Sequence, residues 1–260
     1  MIQVEAIKNF FPAQVRDNTL FYKYMVKEYI QLMILDHLSA TPYTRKITFI
    51  GGTSIRLIKG IDRFSEDLDF DCKEFSNDEF MEMTNGILRF LQRSGFRVSA
   101  RDKNHEKLVV FRRNIHFPQL LFDLGLTGHR EERFLIKVES QDQLVNYKPE
   151  IVNIKGCGFF FPMPVPPGGV LCAMKVSAML NRQKGRDFYD AMFLLSQILP
   201  DFTFLAKRSG IADLHALKQA AKDVILSVDM KRKMRDFEHL LFNKKNSAKI
   251  LRAGEFFKDM

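Results

Sequence analysis

The chain has 260 residues, of which 46% are hydrophobic and 27% charged, a composition typical of globular proteins rather than disordered or fibrous ones. No apolar run approaches the roughly 18 residues of a membrane span, and the opening segment lacks a signal-peptide pattern, so we expect no membrane association. Cys72, Cys157 and Cys172 are widely spaced, which disfavours a disulfide framework or zinc site and fits a reducing cytoplasm. The net charge of +9 is compatible with a polyanionic partner.

In chain order, apolar spacing predicts a helix over 18–39 and a strand over 46–50. A turn at Gly51-Gly52 with a short helix comes next, followed by an acidic strand over 67–71. Residues 76–95 have a Ser-Asn start, helical spacing and a closing glycine, which predicts another helix. Antiparallel strands are expected after it at 96–101, 107–113, 119–126 and 133–139.

The segment PMPVPPGG, residues 162–169, is the strongest linker signal in the chain. Helices are expected beyond it at 170–182, 186–198 and onward to 257. We therefore predict two domains, an α/β domain with a mixed sheet over 1–161 and a helical domain over 170–260. Because clefts between domains commonly bind ligands, we expect the active site in such a cleft.

The acidic strand Asp67-Leu68-Asp69-Phe70-Asp71 carries its three carboxylates on one face and its apolar side chains on the other, because strand side chains alternate. Clustered carboxylates repel one another, and Mg²⁺ held by a few carboxylates and substrate phosphates would offset that repulsion. Gly51 and Gly52 before a helix allow close backbone approach and leave free amides for an anion. Each feature alone is weak, but together they indicate a nucleotidyltransferase.

The residues after GGTS strengthen this interpretation, because Arg63, Ser65, Asp67 and Asp69 read R-x-S-x-D-x-D. This pattern resembles the AbiEii/MenT group of toxin nucleotidyltransferases, whose signature runs GGT…R-x-S-x-D-L-D-F, and the resemblance extends over nearly the whole chain. It implies that Asp67 and Asp69 are catalytic and hold the metal ions. It also implies phosphate binding by Gly51, Gly52, Thr53 and Ser65.

A second constellation lies in the helical half. Taken alone, Asp187 and Asp190 can share a helix face, but acidic residues in a first turn are also simply favourable to the helix dipole. The same toxin group carries a K…R-x-K-x-R-D-x-Y-D pattern here, which this chain matches from Lys175 to Asp190. The match implies that Lys175 is catalytic and reaches the triphosphate. It also implies that Asp190 is a catalytic carboxylate that positions or deprotonates the acceptor, while Asp187 pairs with Arg186 or caps the helix.

Nucleotidyltransferases of this fold usually place a third carboxylate on a neighbouring strand, and two candidates exist. Glu139 lies in FLIKVES, a half-polar strand, and Asp123 lies in LLFDLGL, a more apolar run. The toxin group has an I-K-x-[DE] strand at this point, which favours Glu139 as the third metal ligand.

The resemblance implies a magnesium-dependent enzyme that moves a nucleoside monophosphate from an NTP to an acceptor hydroxyl and releases pyrophosphate. It further implies the toxin of a toxin–antitoxin or phage-defence pair, with tRNA 3′ ends as acceptor and a cognate antitoxin as partner. Residues 201–260 contain 13 Lys or Arg and 8 Asp or Glu, a net +5, which suits either a solvated surface or an RNA-contacting one. Two alternatives remain, transfer to a small molecule or protein side chain, and a catalytically silent module that binds RNA or a partner.

Overall fold

The structure, a computed structural model, describes residues 2–101 and 110–260. These residues form two compact units. The sheet unit comprises the described residues within Met1–Lys59, Phe64–Gln143 and Glu150–Val165. The helical unit comprises Gly60–Arg63, Leu144–Pro149 and Pro166–Met260. Two short segments that interrupt the sheet unit in sequence therefore belong to the helical unit.

A five-stranded mixed sheet is the centre of the sheet unit, with the strand order β1-β2-β5-β4-β3. Its strands are β1 (Ile47–Ile50), β2 (Asp67–Cys72), β3 (Ser99–Arg101), β4 (Phe111–His116) and β5 (Leu135–Gln141). Strands β2 and β5 pair in parallel, and every other neighbouring pair is antiparallel. A separate antiparallel hairpin consists of β6 (Glu150–Gly156) and β7 (Phe159–Val165).

The sheet unit also contains helices, several of which pack against the sheet or the hairpin. They are α1 (Val4–Lys8), α2 (Ala13–Arg16), α3 (Tyr22–Ser39), α4 (Gly51–Ser54), α5 (Asn77–Arg93) and α6 (Leu120–Asp123), with 3₁₀ turns at Thr19–Phe21 and Pro42–Arg45 and a π-helical segment at Ile55–Lys59. Helix α5 begins with a capping box, in which the Ser76 hydroxyl accepts from the Glu79 amide at 3.1 Å and the Glu79 carboxylate accepts from the Ser76 amide at 2.9 Å.

One face of the five-stranded sheet is mostly apolar. Phe49, Leu68, Phe70, Ile136 and Val138 are all buried, and they lie on β1, β2 and β5. Because side chains alternate along a strand, the charged residues between them lie on the opposite face. The sheet thus separates an apolar core from a charged surface.

The helical unit is built from α7 (Gly168–Arg182), α8 (Gly185–Leu195), α9 (Phe202–Ser209), α10 (Leu214–Ser227), α11 (Met230–Arg235) and α12 (Ala253–Asp259), with 3₁₀ turns at Glu238–Leu240 and Lys244–Arg252. The start of helix α8 lies so close to α11 that a Cβ atom at Gly185 would overlap the backbone carbonyl of Lys233. Only glycine permits so close an approach of two backbones.

The predicted fold class is confirmed, with a mixed sheet first and helices after it. The helices predicted at 18–39, 76–95, 170–182 and 186–198 are present with shifted ends, as are the strands at 46–50 and 67–71. Of the strand predicted at 107–113, residues 107–109 lie outside the described residues.

Two predictions of elements were wrong. Residues 119–126 contain helix α6 rather than a strand, because a short apolar run has no periodicity that separates the two structures. Residues 162–165 end β7 rather than forming a linker. Pro162 and Pro164 are two positions apart in a two-stranded hairpin, so both missing amides fall on the same side of an edge strand, where proline is tolerated.

Candidate active site

A row of charged side chains crosses three strands on the face of the sheet opposite the core. Register places Asp67 opposite Lys137 and Asp69 opposite Glu139 on β2 and β5, and Arg112 of β4 lies opposite Glu139. Directly opposed residues lie on the same face of a sheet, so the five residues form one surface, here named the carboxylate face. It brings together the three carboxylates that were predicted to bind metal, with two cations between and beside them.

Asp67 and Asp69 are both partly exposed on this face, whereas Leu68 between them is buried. The Lys137 ammonium donates to Asp67 Oδ2 at 3.1 Å. Asp71, on the same side by alternation, is 1% exposed and accepts a hydrogen bond from the Gln143 amide at 2.8 Å. The acidic strand therefore offers two carboxylates to a ligand, and the third is used within the fold.

Glu139 and Asp123 were the two candidates for a third carboxylate, and the structure separates them. Glu139 lies on β5, the strand next to β2, and forms an ion pair with Arg112. Asp123 ends helix α6 and pairs with Arg97 at 2.5 Å. Only Glu139 has the position on a neighbouring strand that a third ligand needs, and its role as a ligand stays a prediction.

The GGTS turn is fixed against the acidic strand. Gly51 has φ +82°, and a Cβ atom there would overlap the side chain of Asp69. The Thr53 hydroxyl donates to the Asp67 carbonyl at 2.5 Å and is buried, so it holds the turn in place and leaves only the backbone of Thr53 for a ligand. Glycine at position 51 is therefore required both by the backbone conformation and by the carboxylate beside it.

Ser65 and Gly52 complete the predicted phosphate-binding set, and both are buried. The Ser65 carbonyl accepts a hydrogen bond from Gln31 Nε2 of α3 at 3.2 Å. Helix α3 thus holds the segment that leads into β2. The first amides of a helix have no partner within it, and the turn begins such a helix at Gly51, so backbone amides rather than hydroxyls are the candidate phosphate ligands.

In the helical unit, Lys175 and Asp190 meet in a buried cluster with Arg63. The Arg63 guanidinium donates to both oxygens of Asp190, at 2.7 Å from Nε and 2.6 Å from Nη2. The Lys175 ammonium lies 3.0 Å from Asp190 Oδ2. Asp190 is 0% exposed, Arg63 1% and Lys175 7%. One carboxylate thus holds two cations in place, with a bidentate geometry on the arginine side.

The charge state of Asp190 follows from this arrangement. Burial raises the pKa of the carboxyl group, but Arg63 and then Lys175 more than offset it, so the pKa lies below its usual range. Asp190 is therefore an anion at neutral pH and has no exposed surface for an acceptor. Its contacts suit a residue that orients Lys175 better than one that removes a proton.

Two residues near this cluster, Tyr189 and Asn246, hold Asp62 in place through contacts that the sequence did not predict. The Tyr189 hydroxyl donates to Asp62 at 2.7 Å, and Asn246 Nδ2 donates to the other oxygen of Asp62 at 2.6 Å. Burial, and then the hydrogen bond to Asp62, raise the pKa of Tyr189. The hydrogen bonds from the buried Tyr189 phenol and from Asn246 to this carboxylate fix the Asp62-Arg63 dipeptide to the helices. Asp187 pairs with Arg182 at 2.5 Å rather than with Arg186 as predicted, and it accepts from the Lys184 amide as the third helical residue of a capping box.

The carboxylate face fits a divalent cation in part. Among residues 2–101 and 110–260, no group of three or more His, Cys, Asp or Glu side chains is arranged to hold a metal ion. Magnesium commonly takes only one or two carboxylates from the protein and completes its shell with water and substrate phosphates. The hard oxygen donors of Asp67 and Asp69 satisfy that smaller requirement.

Comparisons with known proteins identify the family of the chain. The sequence model of the nucleotidyl transferase AbiEii toxin family, of type IV toxin–antitoxin systems, matches residues 33–253. The chain belongs to the AbiEii family. It is therefore a nucleotidyltransferase of the toxin class, and membership implies a nucleotide substrate, a divalent metal and an antitoxin partner. No curated protein matches the chain.

Solved structures show the same fold as this AbiEii protein. MenT4, a nucleotidyltransferase toxin from Mycobacterium tuberculosis, is 17% identical with a TM-score of 0.65, over 100% of this chain and 91% of that one. JHP933 from Helicobacter pylori is 21% identical with a TM-score of 0.53, over 90% of each chain. Across the part of the chain that the structure describes, no helix has both the length and the apolar character to cross a bilayer.

Proposed function

We propose that this AbiEii protein is a magnesium-dependent enzyme that transfers a nucleoside monophosphate from an NTP to the 3′ end of a tRNA, as the toxin of a toxin–antitoxin or phage-defence pair. The carboxylate face carries the proposal. Two carboxylates, Asp67 and Asp69, lie on one strand beside a glycine turn whose first residue has no room for a side chain. Metal and triphosphate would thus bind side by side.

Asp67 and Asp69 would hold the metal, with Glu139 as a third ligand once Arg112 releases it. Bound Mg²⁺ would offset the charge of the triphosphate and polarise the phosphorus that is attacked. The backbone of Gly51, Gly52 and Thr53, with Ser65, would bind the phosphates and hold them in line for the attack. Lys137 would stabilise the Asp67 carboxylate until metal binds, because the two are 3.1 Å apart.

Lys175 would neutralise the charge that develops on the departing pyrophosphate, which is a role suited to a compact ammonium. Asp190 would act as a positioning residue, because it is buried and ionised between Arg63 and Lys175. Contact with a fixed carboxylate limits the rotamers of the lysine, so its ammonium needs little reorganisation during the reaction. Proton transfer from the acceptor hydroxyl would then fall to a group other than Asp190.

The acceptor would be RNA, because the helical unit carries the net +5 of residues 201–260. Helix α11 concentrates this charge in Lys231, Arg232 and Lys233, and its own acidic cap, Asp229, is used on the Arg232 amide at 3.0 Å. Exposed lysines and arginines bind phosphates through counterion release and without sequence specificity. They would therefore position an RNA rather than identify its bases.

Incubation with each α-³²P-labelled NTP, Mg²⁺ and either tRNA, total protein or a small-molecule extract tests the proposal. We expect label on tRNA with wild type, loss of that label when EDTA is added, and none with Asp67→Ala or Asp69→Ala, whose folds should remain intact. Label on protein or on a small molecule would instead support the other acceptor classes. A wild-type protein that labels nothing but still binds RNA would indicate a catalytically silent module.

A further inference from the structure

A groove between α10 and α12 of the helical unit has no part in the proposed reaction. Its volume is about 510 Å³. We call it the lysine groove, after the residues that give it its character, namely Lys218, Lys222 and Lys258 at its rim and Ile225, Leu226 and Phe257 along its apolar wall.

The rim of the lysine groove is positively charged. None of the described residues that line it carries a carboxylate. Lys218 donates to the backbone carbonyl of Lys258 at 3.3 Å, which fixes one ammonium over the end of α12. No carboxylate in the described part of the chain pairs with Lys222 or Lys258, and both side chains are exposed. The groove therefore presents charge that a partner of opposite sign can compensate.

The wall of the groove is apolar and partly uncovered. Leu226 is 76% exposed, and Lys218, Lys222 and Ile225 follow one another at helical spacing along α10. On the α12 side, a Cβ atom at Gly254 would meet no atom within 4 Å. An apolar stripe with a lysine rim and an open glycine has room for another backbone to approach closely.

We propose that the lysine groove binds an acidic amphipathic helix of a protein partner. The lined part of α10, from His215 to Leu226, rises about 16 Å, which equals three turns of a bound helix. A helix laid in such a groove would bury its apolar side on Ile225 and Leu226 and place its carboxylates on the lysines. RNA fits less well, because the one phenylalanine in the groove, Phe257, is 2% exposed and cannot stack on a base.

The test uses a fluorescein-labelled helical peptide of about 15 residues, with leucines on one face and glutamates on the other. A matched peptide carries lysines in place of the glutamates. Fluorescence anisotropy with the full chain should show binding of the acidic peptide and none of the basic one. Lys222→Glu with Lys258→Glu should weaken binding by about tenfold or more, because two attractive pairs become repulsive.

Two further variants make the result specific. Lys207→Glu with Lys245→Glu changes the net charge equally at exposed lysines outside the groove and should leave binding unchanged. Gly254→Met fills the groove at a helix position with open space, so it should retain the melting temperature and lose peptide binding. Equal binding of both peptides, or wild-type binding by the groove variants, would overturn the proposal. A groove-dependent affinity for single-stranded RNA without peptide binding would overturn it in favour of a nucleic-acid surface.

Discussion

Replacing Lys175 should lower activity far more than it lowers stability. Asp190 keeps both of its hydrogen bonds to Arg63 when Lys175 is removed, so the buried carboxylate remains paired. Lys175→Ala should therefore lower kcat by about 100-fold or more while changing the melting temperature little. Lys175→Arg should restore only part of the rate, since a planar fork does not replace a compact ammonium. Single-turnover rates and thermal unfolding measure the two effects.

Arg63→Ala is the matched control for this experiment, because it removes the bidentate partner of the same carboxylate. Its stability should fall much more than that of Lys175→Ala. A Lys175→Ala protein that unfolds as readily as the Arg63 variant would show that Lys175 is structural.

Asp190→Asn tests the charge state of this buried carboxylate. The amide leaves the Arg63 and Lys175 charges buried without an anion, which should cost about 3–5 kcal/mol of unfolding free energy at pH 7. The folded-state pKa of Asp190 lies below the unfolded value of 3.8, so its contribution is present above that pH and is lost as the pH falls through the folded pKa. Urea titrations should therefore show the gap between wild type and variant narrowing in strong acid. A gap that is constant from pH 7 to pH 2 would contradict the assigned charge state.

At the residue scale, the sequence predicted the face on which the carboxylates of β2 lie, but not the neighbours that they contact. Strand alternation was enough to place Asp67 and Asp69 on one face. The pairing of Asp69 with Glu139 depends on which strands are neighbours, which no local pattern contains. The cations Lys137 and Arg112 were missed for the same reason, although the alternation of Lys137 and Glu139 in FLIKVES was the available signal.

At the scale of elements, two helical glycines of the same unit should respond oppositely to alanine. Gly185→Ala places a Cβ atom against the Lys233 carbonyl and forces α8 and α11 apart, so the unit should lose stability by about 1–3 kcal/mol. Gly254→Ala meets open space in α12 and should gain up to about 1 kcal/mol from helix propensity. Chemical denaturation of the two variants measures their unfolding free energies. Equal changes in both variants would contradict the packing described for these two glycines.

Elements with a strong local signal were predictable, and those defined by pairing were not. The start of helix α5 is indicated in the sequence by Ser76 and Glu79, which form a complete capping box in the structure. The hairpin of β6 and β7 was missed, because proline normally argues against a strand and only the alternate placement of Pro162 and Pro164 makes β7 possible. Helix α6 was predicted as a strand because a short apolar run fits either structure.

At the scale of the whole molecule, burial determines the reactivity of the cysteines. The three cysteines are buried, and burial raises the pKa of Cys157 and of Cys172 to about 12. The thiolate is the reactive form, so these two residues should resist alkylation in the folded protein. Mass spectrometry after iodoacetamide at pH 8 should find both residues modified only when urea is present. Rapid modification of either residue in native buffer would contradict its burial.

The excess of positive charge in residues 201–260 leads to a prediction about salt. If Lys231, Arg232 and Lys233 contact RNA phosphates, replacing all three with alanine should weaken tRNA binding and flatten the plot of log affinity against log salt. Each phosphate contact with a single strand contributes about 0.7 to the magnitude of this slope, so losing three contacts should change the slope by up to about 2. Replacing Arg89, Arg93 and Lys155, three exposed cations of the sheet unit, gives a control of equal charge that should leave the slope near that of wild type.

NTP affinity should be similar in all three proteins, since nucleotide binding is assigned to other residues. Equal slopes for both triple variants would leave only a general effect of net charge and remove α11 from the RNA-binding surface.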